Sequence, residues 1–171
     1  MKQIIFFDGD GTVWYPRKTK YKKHPVWVYR DRRIKDHLKH LTMIPSALAT
    51  IKKLKKMGII TVMLSTHPQS LKESNAIIKH KVRHFKVEKL FDEIYATRGH
   101  PKSKGEFILR VLKRRKIQKS KALMVGDSYK WDYQSAREKG VEALLIKSDY
   151  EPMVNKMKKT IEKLSDILQY L

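Results

Sequence analysis

The chain has no cysteine, which excludes disulfides, thiolate nucleophiles and thiolate-bound zinc and suits a reducing compartment. It also lacks any apolar run near the ~18 residues that a membrane span needs. The apolar N-terminal run is cut by Asp8 before it reaches the length of a secretory signal, so the expected location is the cytoplasm, with no membrane partner. Internal repeats and low-complexity tracts are missing too, and with them solenoid architectures and linkers. Acid is scarce: 17 Asp and Glu against 39 Lys and Arg leave a net charge of +22. Ion-pair networks raise both signs together and do not explain that imbalance. At least 22 cations find no acidic partner, and their field draws polyanions, whether nucleic acid or phosphorylated ligands, while also keeping the chain soluble. A length of 171 residues is enough for one domain with a substantial core, and one domain over residues 1–171 is the expectation.

What is present begins with Phe6-Phe7-Asp8-Gly9-Asp10-Gly11-Thr12. Residues Ile4 to Phe7 are β-branched or aromatic in a run too short for a helix, so they read as a buried strand that delivers two acids at its carboxyl end. In a parallel α/β sheet ligands bind at that end. Three readings compete here. One is a plain Asp-Gly turn. A calcium loop is another, but counting from Asp8 puts Val13 and Thr19 where Gly and Glu are required. The third is a nucleophile loop, in which one carboxylate attacks phosphorus and the second moves a proton. Alternate residues of an extended chain point apart, so such a loop has to curl, and Gly9 and Gly11 permit it.

The segment Tyr15–Thr42 follows, with ten Lys and Arg against Asp31 and Asp36, and with Tyr15, Tyr21, Trp27 and Tyr29 interleaved. Val26–Tyr29 reads as one strand of a flap, and Ile34, Leu38 and Leu41 as the apolar stripe of a short helix, so residues 15–42 form a basic aromatic insert over the active edge. His37 and His40 have metal-ligand spacing, yet no third ligand accompanies them and a solvated helix face is the simpler reading. Regular alternation then begins. Pro45 opens a helix with Ala47, Leu48, Ile51 and Leu54 on its buried face, and Gly58 ends it. A strand, Ile59–Leu64, stops at Ser65-Thr66-His67-Pro68, a helix spans about Gln69–Lys81, and a short strand falls near Glu93–Ala96. The loop from Arg98 to Gly105 opens a helix. Ala122–Val125 runs into Gly126-Asp127-Ser128, a helix covers Tyr133–Lys139, and Ala143–Ile146 is the last strand. The C-terminal segment, 149–171, reads as a helix from Glu151 to Leu171. This alternation predicts a three-layer α/β/α, Rossmann-like parallel sheet.

Each strand with a polar carboxyl end contributes chemistry: Asp8 and Asp10, then Ser65, then Lys102 or Lys104, then Asp127 and Asp132. Singly, Ser65 and Asp132 read as helix caps, Lys104 as a surface lysine and Gly126-Asp127 as a turn. Together on one sheet edge they supply what phosphoryl transfer needs: a nucleophile, an acid, carboxylates for a hard cation, and donors for the phosphate oxygens.

In these motifs, over about Lys2–Ser148 outside the insert, the chain resembles phosphatases of the haloacid dehalogenase superfamily. The resemblance implies Asp8 as the nucleophile that forms an aspartyl-phosphate and Asp10 as general acid and base. It implies Mg²⁺ held by Asp8, the Asp10 carbonyl and Asp127, with Asp132 in or beside that shell, and phosphate bound by Gly9, Ser65, Thr66 and Lys104 or Lys102. An acid at position 10 argues against dehalogenation. Lys104 is favoured because Lys-Gly at a helix start combines a side chain with exposed backbone donors. Position 9 is usually a larger apolar residue in that family, so Gly9 is expected to leave extra room beside the nucleophile. No large cap fits the intervals, and the site is expected to be open, as in capless members. Thr12-Val13-Trp14-Tyr15-Pro16 is similar to the magnesium-dependent phosphatase subgroup.

The expected function is hydrolysis of a phosphomonoester. Two alternatives stand beside it: a phosphatase of nucleotides or nucleic-acid ends recruited by the insert, whose rings stack bases while its cations track the backbone, and a nucleic-acid-binding protein without turnover. A second basic stretch, Pro101–Lys121, carries nine cations and one acid. Lys113, Arg114, Arg115, Lys116, Lys119 and Lys121 of this stretch fall at the end of a helix that runs away from the active edge, so a structural role is expected for them.

Overall fold

The computed structural model describes residues 1–97, 99–100, 103–157 and 159–171. Its centre is a six-stranded sheet in the order β5-β4-β1-β6-β7-β8, with every neighbouring pair parallel. The strands are β1 (Ile4–Phe7), β4 (Ile60–Thr66), β5 (Glu93–Thr97), β6 (Ala122–Gly126), β7 (Glu142–Ile146) and β8 (Thr160–Ile161). The run Ile4-Ile5-Phe6-Phe7 is buried on both sides because alternate residues feed two cores. Ile5 and Phe7 face α2 (Ala47–Lys56), α3 (Leu71–His84) and the C-terminal turns, whereas Ile4 and Phe6 face α4 (Ser103–Arg115) and the short α5 (Ser135–Arg137). The three layers are those the alternation predicts. Among the described residues no helix is long and apolar enough to cross a membrane.

Three elements differ from the sequence reading. Val26–Tyr29 is not a strand: Val26–Arg30 forms a short helix, α1, started by Pro25, with Val28 buried in the core. The Ile34, Leu38, Leu41 stripe does not make a helix either. Leu38–His40 is a single 3₁₀ turn, and Leu41 begins β3 (Leu41–Met43), which pairs antiparallel with β2 (Trp14–Pro16) and ties the insert shut at its base. At the C-terminus the expected helix Glu151–Leu171 is absent. In its place are 3₁₀ turns, Pro152–Lys156 and Leu164–Tyr170, around β8, whose Thr160 and Ile161 pair with Leu145 and Ile146. Leu164 and Ile167 then seal the same core face as α2, so a long-range strand pairing prevails over local helix pattern.

Candidate active site

Asp8 leaves the end of β1 between β4 and β6, and the neighbouring strand ends bring Ser65 and Asp127 to it. The Ser65 hydroxyl donates to Asp8 Oδ1 at 2.9 Å and Lys104 Nζ donates to the same oxygen at 2.6 Å. That leaves Oδ2 available to attack or to a cation. Lys104 comes from the first turn of α4, is almost fully buried, and also donates to Asp132 Oδ1. Burial alone would lower its pKa, but the charges of Asp132 and Asp8 raise it above the usual lysine value, so it remains an ammonium. Lys102, the other candidate for this place, lies outside the described residues.

Oxygens of Asp8, Asp127 and Asp132 lie within 4.8 Å of one another, and all three side chains are buried. Asp132 is carried by a π-helical turn, Tyr129–Gln134, and accepts from the Ser128 backbone N–H at 3.0 Å. Asp127 Oδ2 accepts from the Tyr150 hydroxyl at 2.6 Å, whereas Asp127 Oδ1 is buried without a partner among the described residues. Burial and the charge of Asp8 raise both acids, Asp127 well above its ordinary value and Asp132 to about 6. A cluster of acids whose burial and mutual repulsion disfavour their charged forms, with an orphan carboxylate oxygen inside it, fits a hard divalent cation that takes oxygen ligands. Gly11, at φ 78°, keeps this space open, since a Cβ there would stand 2.0 Å from Asp127 Oδ2. His37 and His40 join no such cluster among the described residues, and the His37 ring packs 5.1 Å from Tyr29.

Gly9 does not leave extra room. A Cβ on it would lie 2.7 Å from the Trp14 indole, which fills the place a larger residue would take. Trp14 Nε1 in turn donates to Asp10 Oδ1 at 2.5 Å, and the ring stacks on Phe85 at 5.5 Å. The second acid is therefore fixed by its own loop.

Asp10 has a stronger partner that the sequence reading passed over. Lys81, on α3 and only 1% exposed, donates to both carboxylate oxygens at 2.8 and 2.9 Å. Its ammonium also sits 3.1 Å from His67 Nε2 and 4.4 Å from the Tyr29 ring centroid, which ties the insert to the acid. Burial alone would raise Asp10, but the charges of Lys81 and His67 and the hydrogen bonds from Lys81 and Trp14 bring it down to about 2. The sequence signal was present: Lys81 shares the buried face of α3 with Ser74, Ile78 and Val82, a lysine on an apolar stripe. Breaking a buried pair strands a charge, so Lys81→Met is expected to cost roughly 3–5 kcal/mol in urea unfolding, and adding Asp10→Asn should recover part of it. Equal stability of Lys81→Met and the parent would show that the pair stabilises nothing.

Thr66 lines the cavity above these acids, its hydroxyl 2.6 Å from that of Thr97. The cavity holds about 480 Å³, and one wall is the insert, through His24, Val26, Tyr29 and Arg30. Among the described residues the site has no large cap, and the small insert forms part of its wall. Lys104 apart, the second basic stretch contributes no described residue to the lining of this cavity. Arg114 and Arg115 both clamp Glu93 at the start of β5, the opposite edge of the sheet, a structural use of charge.

A parallel sheet with two acids after its first strand and three further polar strand ends around them is the frame of a hydrolase. Residues 4–146 match the haloacid dehalogenase-like hydrolases, and the chain belongs to that family. Among solved structures, a haloacid dehalogenase-like family protein from Streptococcus pneumoniae is 19% identical with a TM-score of 0.71, covering 99% of this chain and 98% of its own. A phosphatase of the family from Thermococcus onnurineus is 15% identical with a TM-score of 0.70, covering 99% and 97%. Phosphoserine phosphatase, in a structure of a phospho-aspartyl intermediate analogue, is 18% identical with a TM-score of 0.68 and 99% coverage of both chains. These likenesses are of fold. No curated protein matches the chain.

Proposed function

We propose that the protein is a Mg²⁺-dependent phosphomonoester hydrolase that works through an aspartyl-phosphate on Asp8. The observation that carries this reading is the buried trio Asp8, Asp127 and Asp132 with Lys104 bridging two of its members, 2.6 Å from Asp8. A carboxylate attacks a phosphate dianion only when their repulsion is neutralised. Lys104 supplies part of that, and a divalent cation among Asp8, Asp127 and the Asp132 side would neutralise the rest when bound.

In the first half of the reaction an Asp8 oxygen forms a bond to phosphorus, the ester P–O bond breaks, and the leaving oxygen takes a proton from Asp10. Water then attacks the same phosphorus, its proton passes to Asp10, and Asp8 and inorganic phosphate are released. Lys81 holds Asp10 ionised in the resting protein, so the proton Asp10 passes to the leaving oxygen is one brought by the monoanionic form of the phosphate ester, and the proton taken from water in the second half leaves with the released phosphate. Ser65 and Lys104 orient the nucleophile, and both lie within reach of a phosphate oxygen on it.

A nucleic-acid-binding protein without turnover fits this geometry less well, because buried acids in the cavity floor repel a polyanion. The test is a panel of sugar, nucleotide, phosphopeptide and oligonucleotide phosphates together with 4-nitrophenyl phosphate, each with and without Mg²⁺. Metal-dependent release of phosphate from at least one ester is expected. Silence on the whole panel by folded, metal-loaded protein sinks the reading.

A further inference from the structure

The cavity is not lined by the acids alone. Val26, Tyr29, Pro68 and Trp131 give it apolar and aromatic surface, with His24 and Arg30 beside them. Most of its polar side chains are committed, Asp10 to Lys81 and Trp14, Asp132 to Lys104 and Ser128, Thr66 to Thr97, while among the described residues Asp127 Oδ1 and the Tyr29 hydroxyl have no partner. No Asn, Gln or Glu is among the described residues that line it. A leaving group studded with hydroxyls would therefore find few acceptors, and each hydroxyl it buried without a bond would weaken binding. A flat aromatic group meets matching surface instead.

Trp131 is the ring with a face to give. It is partly exposed, and among the described residues no ring packs on it and no acceptor takes its Nε1 proton. Tyr29 is different, since Lys81 sits 4.4 Å from its ring centroid and His67 and His37 meet it edge to face. The backbone points to the same residue. Trp131 stands in the π-helical turn Tyr129–Gln134 that also carries Asp132, and one-turn π insertions are frequent at functional sites. The charge agrees with an anionic ligand, because Arg30, which lines the cavity, belongs to a segment, Tyr15–Thr42, that carries ten cations and two acids.

We propose that the leaving group is a nucleoside, with its base on Trp131 and its terminal phosphate at Asp8. The inference rests on the phosphatase reading and names its substrate class. The bond that breaks is the one between phosphorus and the sugar oxygen, which receives its proton from Asp10, so the products are a sugar hydroxyl and inorganic phosphate. Free nucleotides and nucleic-acid ends share this chemistry.

The experiment compares kcat/KM for adenosine 5′-phosphate, ribose 5-phosphate, phosphotyrosine and a 5′-phosphorylated oligonucleotide, with Mg²⁺, in the parent, Trp131→Phe, Trp131→Leu and Trp131→Ala. Stacking of a base is worth about 1–3 kcal/mol, so the parent is expected to prefer the nucleotide over ribose 5-phosphate by roughly 10- to 100-fold. The ratio should stay high in Trp131→Phe and collapse toward one in Trp131→Leu or Trp131→Ala. The parent's ratio needs no variant, and Trp131→Leu keeps bulk if Trp131→Ala fails to fold. A higher rate on the oligonucleotide, lost as salt rises, assigns nucleic-acid ends; an equal or lower one assigns free nucleotides. A parental ratio near one, a ratio indifferent to the ring at position 131, or a preference for phosphotyrosine overturns the proposal. If 4-nitrophenyl phosphate is also untouched, the phosphatase reading has failed; if it is hydrolysed, only the nucleoside inference has.

Discussion

Asp8→Asn is expected to lower kcat by roughly 10⁴-fold or more, the scale on which enzymes lose rate with their nucleophile. The reason is chemical rather than steric. An amide is nearly the same shape as a carboxylate, but it has no anionic oxygen with which to make the acyl-phosphate, and the step has no other route in this site. The fold should survive, because Asp8 sits among Asp127 and Asp132 and loss of its charge relieves repulsion even as it weakens the bond to Lys104. Circular dichroism and melting temperature check that. Asp10→Asn serves as the comparison. General acid–base catalysis is worth about 10²–10⁴-fold, and less for leaving groups that need no proton, so its defect should be smaller than that of Asp8→Asn and smallest with 4-nitrophenyl phosphate. An Asp8→Asn protein as active as its parent would remove the nucleophile from the mechanism, and an Asp10→Asn defect blind to the leaving group would remove the acid.

These residues were legible because β1 is short, wholly apolar and followed at once by charge. A strand of that kind has one place to go, the centre of a parallel sheet, and its end then marks the ligand edge. The order of polar strand ends supplied the rest of the floor. The wall was not legible in the same way. Val26-Trp27-Val28-Tyr29 is rich in strand-forming residues, yet four residues do not fix a period, and the helix it forms is decided by Pro25 at its start and by packing of Val28 and Tyr29 against distant elements. Lys81 and Trp131 were hidden for different reasons. One is a single cation in a chain with 39, betrayed only by its place on the buried face of α3, and the other depends on a π-helical turn that no local residue preference announces. The C-terminus shows the same limit from another side, since Thr160 and Ile161 become a strand only because β7 offers an unpaired edge.

Removal of divalent metal is expected to silence turnover altogether, and the same site predicts how the metal's effect on stability depends on pH. In the folded chain burial and the charge of Asp8 raise Asp127 well above 3.8 and Asp132 to about 6. Without metal, the folded state keeps protons that the unfolded chain gives up from about pH 4 upward, so these two acids subtract stability as pH rises through that window. A bound cation takes the place of those protons. The stabilisation by Mg²⁺ should therefore be small near pH 4, grow through pH 6 as Asp132 ionises, and go on growing for as long as Asp127 keeps its proton. His67, lowered to about 4 by burial and by Lys81, changes stability in the opposite sense over the same range. It does so with and without metal, and therefore cancels when the two melts are subtracted. At a hundredfold excess over the dissociation constant the gain is about 2.7 kcal/mol, or roughly 5–10 °C for a chain of this size. Melting curves in Mg²⁺ and in EDTA at pH 4.5, 6 and 7.5 give the difference directly. A shift equal at all three values would place the metal away from Asp127 and Asp132, and undiminished hydrolysis in chelator would leave the buried acids without the cation that the phosphatase reading requires.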